Sequence, residues 1–299
     1  MGVLGGDKRW RFGACLVGAF SVSAVALFAY EGLNPSWRTP EVARGVGDEL
    51  AVPIRELRVV ALNVAKAHFY EGGEFVDATR VRAELDAIAA VLVAERADLV
   101  FLSEVVLECG PEPLDQVEHL ALAGRFPFRA ASENYSFGFP FFRIRAGNAL
   151  LSRAPLKAIE TLQLAGGRPF WSPTNNRRAL CTELELGGAT VLAVVVRNDS
   201  FDLANNFVQT RELLDYVGER PALLAGDFNA EPRDASLELL RASGRFSGFV
   251  DGSPTFPSSA PRRRIDHVLA PATWTVVEQH VVAAGSSDHL AVVATFRLP

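Results

Sequence analysis

Residues 222–229 read ALLAGDFN. Ala222–Ala225 is a short, fully apolar run, the pattern of a strand buried on both faces, and it gives way to Gly226-Asp227-Phe228-Asn229. A buried strand that stops in a carboxylate and an amide decides the reading of this chain, because the same pattern recurs. Residues 57–63 (LRVVALN) close on Asn63, and residues 98–104 (DLVFLSE) close on Ser103-Glu104. Asp266 lies in RRRIDHVL (262–269), and Asp288-His289 precede LAVVATF (290–296). Strand ends are rigid platforms whose polar side chains face a loop rim rather than a core. Carboxylates gathered at such a rim repel one another unless something neutralises them, and a hard divalent cation with oxygen ligands, Mg²⁺ or Mn²⁺, is suited to do so.

Outward from this stretch the apolar pattern supplies the remaining elements. Val81, Leu85, Ile88 and Leu92 recur at helical spacing and predict a helix over about 79–97. Residues 149–151, 179–186 and 189–196 read as strands, with Gly187-Gly188 as a hairpin turn between the last two. Residues 203–217 predict a helix with Phe207, Leu213, Leu214 and Val217 inward, and 265–269, 275–282 and 290–298 predict three closing strands. Strands dominate and helices interrupt them, so the expected class is α/β: packed mixed sheets flanked by helices, in one domain over residues 54–299.

The 299 residues are 49% hydrophobic and 22% charged, which excludes disorder for the bulk of the chain. A net charge of −5 argues against a protein that coats nucleic acid through a broad basic surface. Three cysteines, with no CxxC, exclude a disulfide scaffold and a structural zinc site; Cys109 and Cys181 are left as either a disulfide or two buried thiols. The N-terminus differs from the rest. A basic tail (1–11) precedes residues 12–30, nineteen residues without a charge and long enough to cross a bilayer as a helix. The expectation is an uncleaved signal anchor, with the domain outside the cytoplasm at the cell membrane; secretion after cleavage near Ala24-Val25-Ala26 is the alternative. Residues 31–53, mixed in charge and rich in Pro and Gly, read as a tether.

Taken in order, Asn63, Glu104, GDFN (226–229), Ile265-Asp266-His267 and Ser287-Asp288-His289 resemble the endonuclease/exonuclease/phosphatase superfamily of metal-dependent phosphoester hydrolases. The resemblance spans about residues 55–299 and implies a four-layer α/β/β/α sandwich with the site at the rim of two packed sheets. Chemistry and resemblance assign the same roles. Glu104, Asn63 and Asp288 are the expected metal ligands for Mg²⁺ or Mn²⁺. Asp227 is expected to orient and deprotonate the attacking water, Asn229 to donate to the phosphoryl oxygen, and His289 to hold that oxygen with its tautomer fixed by Asp266. Asn148, in a GNALLSR segment (147–153) similar to one in many family members, is a candidate substrate contact or a strand-start residue. His119, His267 and His280 are read as structural and His68 as a loop residue.

One departure stands out. Many family members carry a histidine after the hairpin where this chain reads LAVVVRNDS (192–200), and Asn198 stands near that position as a candidate substrate contact. Alternation puts Arg197 and Asn198 on opposite faces, so only one of them points at the site. Arg177-Arg178 and Arg262-Arg263-Arg264 are local basic runs that either draw an anion to the rim or are solvated faces. The expected substrate is a phosphoester, either nucleic acid or a phospholipid headgroup, and the expected state is a monomer. A binding module that has lost turnover is the competing reading. Residues 110–145 and 166–176 are the expected specificity loops, the first carrying Tyr135, Phe137, Phe139, Phe141 and Phe142.

Overall fold

Leu57, Val59 and Ala61 face one core and Val60, Leu62 and Val64 another, and this period-two partition organises the molecule. The protein is described by a computed structural model covering residues 21–33, 39–71, 74–110, 114–166, 176–186 and 188–299. The elements run α1 (21–33), β1 (Glu41–Arg44), β2 (Glu56–Asn63), β3 (Tyr70–Glu71), β4 (Glu74–Phe75), α2 (Ala78–Ala94), β5 (Leu99–Cys109), α3 (Gln116–Ala123), β6 (Phe128–Phe139), β7 (Phe142–Ser152) and β8 (Leu156–Gln163). They continue with β9 (Arg178–Leu186), β10 (Ala189–Arg197), α4 (Leu203–Val217), β11 (Ala222–Asp227), α5 (Ala235–Ala242), β12 (Phe246–Ser247), β13 (Asp266–Pro271), β14 (Thr275–Val282) and β15 (Ala291–Arg297).

Two mixed sheets result, ordered β1-β6-β7-β5-β2-β15-β14 and β12-β13-β11-β10-β9-β8. The β2–β5 and β10–β11 pairs are parallel, and the pairs around them antiparallel. The sheets face each other over one apolar core: Leu57, Phe101 and Val292 from the first, Leu180, Val195 and Val268 from the second. Leu85 and Ile88 of α2 and Leu120 of α3 cover the outer face of the first sheet, and Leu213 and Val217 of α4 with Leu237 and Leu240 of α5 cover that of the second. The layers are therefore helix, sheet, sheet and helix.

Three segments differ from the sequence reading. Residues 31–53 are more than a tether: β1 pairs antiparallel with β6, and Gly45, Asp48 and Leu50 donate backbone bonds to Pro127, Arg125 and Arg153. Backbone pairing of this kind leaves little trace in side-chain pattern. Residues 114–145 are not a loop but α3 and the long β6–β7 hairpin, whose tip carries the exposed Phe137, Phe141 and Phe142, while Tyr135 packs against Val106 and Ala146. β5 does not stop at Glu104; it continues to Cys109 through a bulge. Of the expected 12–30 membrane span, residues 12–20 lie outside the described residues, and 21–30 belong to α1. Among the described residues no helix is long and apolar enough to cross a membrane.

The second expected specificity loop falls mostly on 167–175, outside the described residues, as does Gly187 of the expected turn. Cys109 and Cys181 are buried on different sheets and form no disulfide with each other.

Candidate active site

The alternation that sorts apolar residues also aims the polar ones. Positions 57, 59 and 61 of β2 face the inter-sheet core, so Asn63 continues that face just where the apolar filling ends. Leu223 and Ala225 do the same for Asp227 of β11, and Val268 and Ala270 for Asp266 of β13. Asp227 and Asp266 are directly opposed in the antiparallel pair. Glu104 breaks the rule. On a regular β5 it would follow Val100 and Leu102 toward α2. A register shift between Ser103 and Val105, with Glu104 at φ +57°, turns it to the inter-sheet side.

Gly226 closes the second sheet at the same level. Its φ is +138°, and a Cβ there would stand 2.2 Å from the Val196 carbonyl oxygen, so only glycine lets β11 lie against β10 at this point.

Asn63 is the hub. Its Nδ2 donates to Asp227 Oδ2 at 3.1 Å and Glu104 Oε1 at 3.2 Å and lies 3.5 Å from His289 Nε2, while its Oδ1 accepts from the Ala65 amide at 3.0 Å. Ser287 Oγ donates to the Asn63 carbonyl at 2.6 Å and accepts from the His289 amide, fixing the 287–289 turn on the end of β2. His289 Nδ1 lies 2.9 Å from Asp266 Oδ2. Asp227 Oδ1 accepts from the Asn229 amide at 3.0 Å, and Asn229 Nδ2 donates to the Asn198 carbonyl at 3.1 Å. Asn63, Glu104, Asp227, Asn229, Asp266 and His289 thus lie in one crevice. Asp288, 54% exposed at its side chain, stands at the crevice mouth with Oδ1 4.0 Å from His289 Nε2.

The two other sequence candidates are turned elsewhere. Asn148 sits on the inner face of β7, and its Nδ2 donates to the Arg178 carbonyl of the other sheet at 2.7 Å. Asn198 falls on the outer face and donates to Thr210 Oγ1 of α4 at 2.9 Å. Arg197 is the member of that pair that points inward, where Nη2 donates to Glu104. Asn206 and Gln209 of α4 add a buried polar face: Asn206 Nδ2 donates to the Asp199 and Phe228 carbonyls, and Gln209 Oε1 accepts from the Asp199 amide. Helical periodicity shows the apolar face of α4 and is silent on these amides, which hold the loops after β10 and β11.

Two cations escaped the sequence reading. Lys66 donates to Glu104 from a turn in which Ala65, Lys66, Ala67 and His68 all have positive φ, a conformation unmarked by any glycine. Arg177, read only as part of a basic run, is 2% exposed and donates to Ser200 Oγ at 3.1 Å. His68 lies 2.9 Å from the Ser286 carbonyl, and His267 is buried against Phe228 and the Ala230 carbonyl.

The charges are strongly coupled. Burial opposes ionisation of Glu104, yet Arg197 and Lys66 hold its carboxyl well below the usual carboxylate range. Burial, with Asp266 facing it, raises Asp227 to about 6. Burial disfavours a charged His289, but Asp266, Asp227 and Asp288 outweigh it and lift the imidazolium to about 9. Burial depresses His267 to about 4, so it is neutral at physiological pH. Burial and the neighbouring Arg197 bring Arg177 down to about 10.

The donor set suits a hard divalent cation. Four carboxylates and a carboxamide converge, and Asp266 Oδ1 is buried with no hydrogen-bond partner. Asp227, Asp266 and His289 bring ligand atoms within 4.8 Å of one another, a grouping that could hold a metal.

A model of the endonuclease/exonuclease/phosphatase family matches residues 61–289. No curated protein sequence matches the chain. Among solved structures, an endonuclease/exonuclease/phosphatase from Beutenbergia cavernae has a TM-score of 0.64 at 25% identity, over 82% of this chain and 72% of that one. The human nocturnin catalytic domain with bound sulfate gives 0.60 at 16% identity, over 87% and 97%. A mannosyl-6-phosphatase from Bacteroides thetaiotaomicron gives 0.57 at 15%, over 80% and 99%. The two lower identities speak to fold alone. The family match runs from the inner face of β2 to His289 and takes in the whole crevice, and the chain belongs to the endonuclease/exonuclease/phosphatase family.

Proposed function

We propose that this chain is a Mg²⁺- or Mn²⁺-dependent hydrolase of phosphoesters that uses Asp227 to activate the attacking water. The observation that carries the reading is the buried Asp266–His289 pair beside Asp227, an environment that raises the proton affinity of both Asp227 and His289. Glu104, Asn63 and Asp288 are the residues proposed to hold the metal, with the Asp227–Asp266–His289 group as the competing set. When bound, the ion supplies positive charge to a phosphoryl oxygen and eases attack on an anionic ester.

The residues themselves do the rest. Asp227 Oδ2, held by Asn63, accepts the proton of the water. His289 carries its charge on an imidazole anchored through Nδ1 by Asp266, so Nε2 is left to donate to a phosphoryl oxygen. Asn229 spends one amide hydrogen on the Asn198 carbonyl and keeps the second for the substrate. Arg197 supplies, from the inner face, the positive charge that Asn198 does not.

The membrane location is part of the same proposal. It is supported by the uncharged run over 12–30, by exposed Val22 and Val25 on α1, and by exposed Phe141 and Phe142 at the hairpin tip, with Phe28 of α1 packed edge-on against Phe137 of the same hairpin.

The test is hydrolysis of bis(p-nitrophenyl) phosphate and p-nitrophenyl phosphate by the full chain in detergent. Turnover is expected with Mg²⁺ or Mn²⁺, and a loss of about 10²-fold or more in Asp227→Ala and in His289→Ala. Turnover that survives excess chelator, or variants as active as wild type, refutes the reading; phosphate binding without turnover of any ester favours the binding module.

A further inference from the structure

The exposed aromatic side chains among the described residues gather at one end of the sandwich, the end where the crevice opens. β2, β5, β10 and β11 run toward that end and deliver Asn63, Glu104, Arg197 and Asp227 to it. The segment after β2 exposes Tyr70 and Phe75, whose ring centroids lie 5.3 Å apart, and the segment after β10 exposes Phe201 at 78%. The β6–β7 hairpin reaches farthest. Ser103, next to Glu104, pairs with Asn148, and β7 starts as far back as Phe142. At the rise of a strand, the tip stands about 20 Å beyond the crevice floor. It exposes Phe137, Phe142 and, at 81%, Phe141. The opposite end exposes Leu122 of α3 and Val93 of α2, isolated aliphatics of the kind any surface carries.

Aromatic rings held out in water from three separate segments call for an apolar partner. Two observations make that partner a lipid bilayer. First, α1 docks on the outer half of the hairpin. Phe28 meets Phe137 and Phe139 at centroid distances of 5.0 and 5.9 Å, and Glu31 accepts from Arg143 Nη1 at 3.0 Å and Ser136 Oγ at 3.1 Å. The uncharged run over 12–30 therefore ends beside the hairpin tip, with Val22 and Val25 exposed on the same helix. Second, the cations of the hairpin are already spent. Arg143 pairs with Glu31 and Glu108, and Arg145 with Glu41, Glu108 and Glu133. A polyanion such as nucleic acid is held mainly through its phosphates, and these arginines are not left for them.

We propose that the aromatic end of the sandwich is a bilayer-docking surface. The β6–β7 tip inserts among the lipids beside α1, Phe201 and the Tyr70–Phe75 pair stand toward the headgroups, and the crevice faces the membrane. An insertion of about 5–10 Å, usual for interfacial elements, leaves the crevice floor about 10–15 Å from the headgroup surface. The proposal rests on the membrane location given above and deepens it with a face and an orientation.

The test uses the full chain in phosphatidylcholine vesicles, with Cys15→Ser and with Cys109 and Cys181 buried. A polarity-sensitive thiol label is placed in turn through Phe141→Cys, Phe201→Cys and Leu122→Cys. Lipid brominated on its acyl chains is expected to quench the label at 141 at least about twofold, and a headgroup spin label to quench the one at 201. The label at 122, on the opposite end, is expected to respond to neither. Phe141→Asp with Phe142→Asp, at exposed positions and with circular dichroism reporting the fold, is expected to abolish the quenching at 201. A chain that floats with the vesicles but shows no bromine quenching at 141, equal quenching at 122, or quenching at 201 that survives the two aspartates overturns the surface and leaves the membrane location standing. A label at 141 that is shielded without bromine quenching, in a chain that sediments as a dimer, replaces the bilayer with a second copy. A chain that does not float sinks the location and this surface together, while ester hydrolysis in detergent judges the catalytic reading independently of either.

Discussion

Replacing Asp266 with asparagine removes the charge that sets the proton affinity of His289 while keeping the shape of the side chain. The imidazole stands 2.9 Å from the carboxylate, and both groups are almost wholly buried, so solvent screens the pair little. Raising His289 from the ordinary 6.5 to about 9 corresponds to about 3 kcal/mol of preference for the imidazolium. Asp266 is the largest contributor in that direction, ahead of Asp227 and Asp288, so Asp266→Asn is expected to return His289 to about 6.5 or below, since its burial remains. The sign for stability follows. A histidine whose folded pKa exceeds its unfolded value stabilises fully below the unfolded pKa, and the contribution is lost as pH rises through the folded pKa. The wild type is therefore expected to lose about 3 kcal/mol relative to the variant between about pH 6.5 and 9. Titration of the His289 ring by NMR in chelator, with urea unfolding at pH 6 and pH 9.5, measures both. A wild-type His289 that titrates near 6.5, or a variant that still titrates near 9, refutes the reasoning.

Glu104→Gln leaves Lys66 and Arg197 facing a neutral amide in a largely buried place, which is expected to cost about 3 kcal/mol in chelator. The same variant is expected to lose the rise in melting temperature that Mn²⁺ gives the wild type, and an undiminished rise would remove Glu104 from the metal set. Gly226→Ala forces a methyl to 2.2 Å from the Val196 carbonyl oxygen at a φ that alanine rarely adopts, so a loss of about 3 kcal/mol or more is expected by urea unfolding. A wild-type-like midpoint would mean that β11 does not lie this close to β10.

What the sequence made legible was whatever alternation and order control. α4 occupies residues 203–217 as its apolar spacing predicts, and Asn63, Asp227 and Asp266 project where period two places them. Arg197 and Asn198 part to opposite faces for the same reason. The features that stayed hidden depend on backbone conformation without a side-chain signature. The bulge that swings Glu104 inward has no glycine or proline to mark it, and the turn that brings Lys66 to Glu104 is built from Ala, Lys, Ala and His at positive φ. Arg177 was visible only as charge, since nothing in a run of two arginines tells a buried guanidinium from a solvated one. The β6–β7 hairpin passed for a loop although Tyr135, Phe137 and Phe139 alternate with Ser136 and Gly138, because no Asn-Gly or Asp-Gly pair marks its turn at Pro140-Phe141.

β1 is four residues long, and its position gives it an importance beyond its size. It lies on the outside of the seven-stranded sheet, where β6 would otherwise present bare amide and carbonyl groups along residues 128–131. An exposed rim of that kind recruits strands from other molecules. A shortened version of this protein that starts at residue 50 therefore removes a seal, and would be sticky for reasons unrelated to its chemistry. Starting upstream of Glu41 keeps the rim shielded.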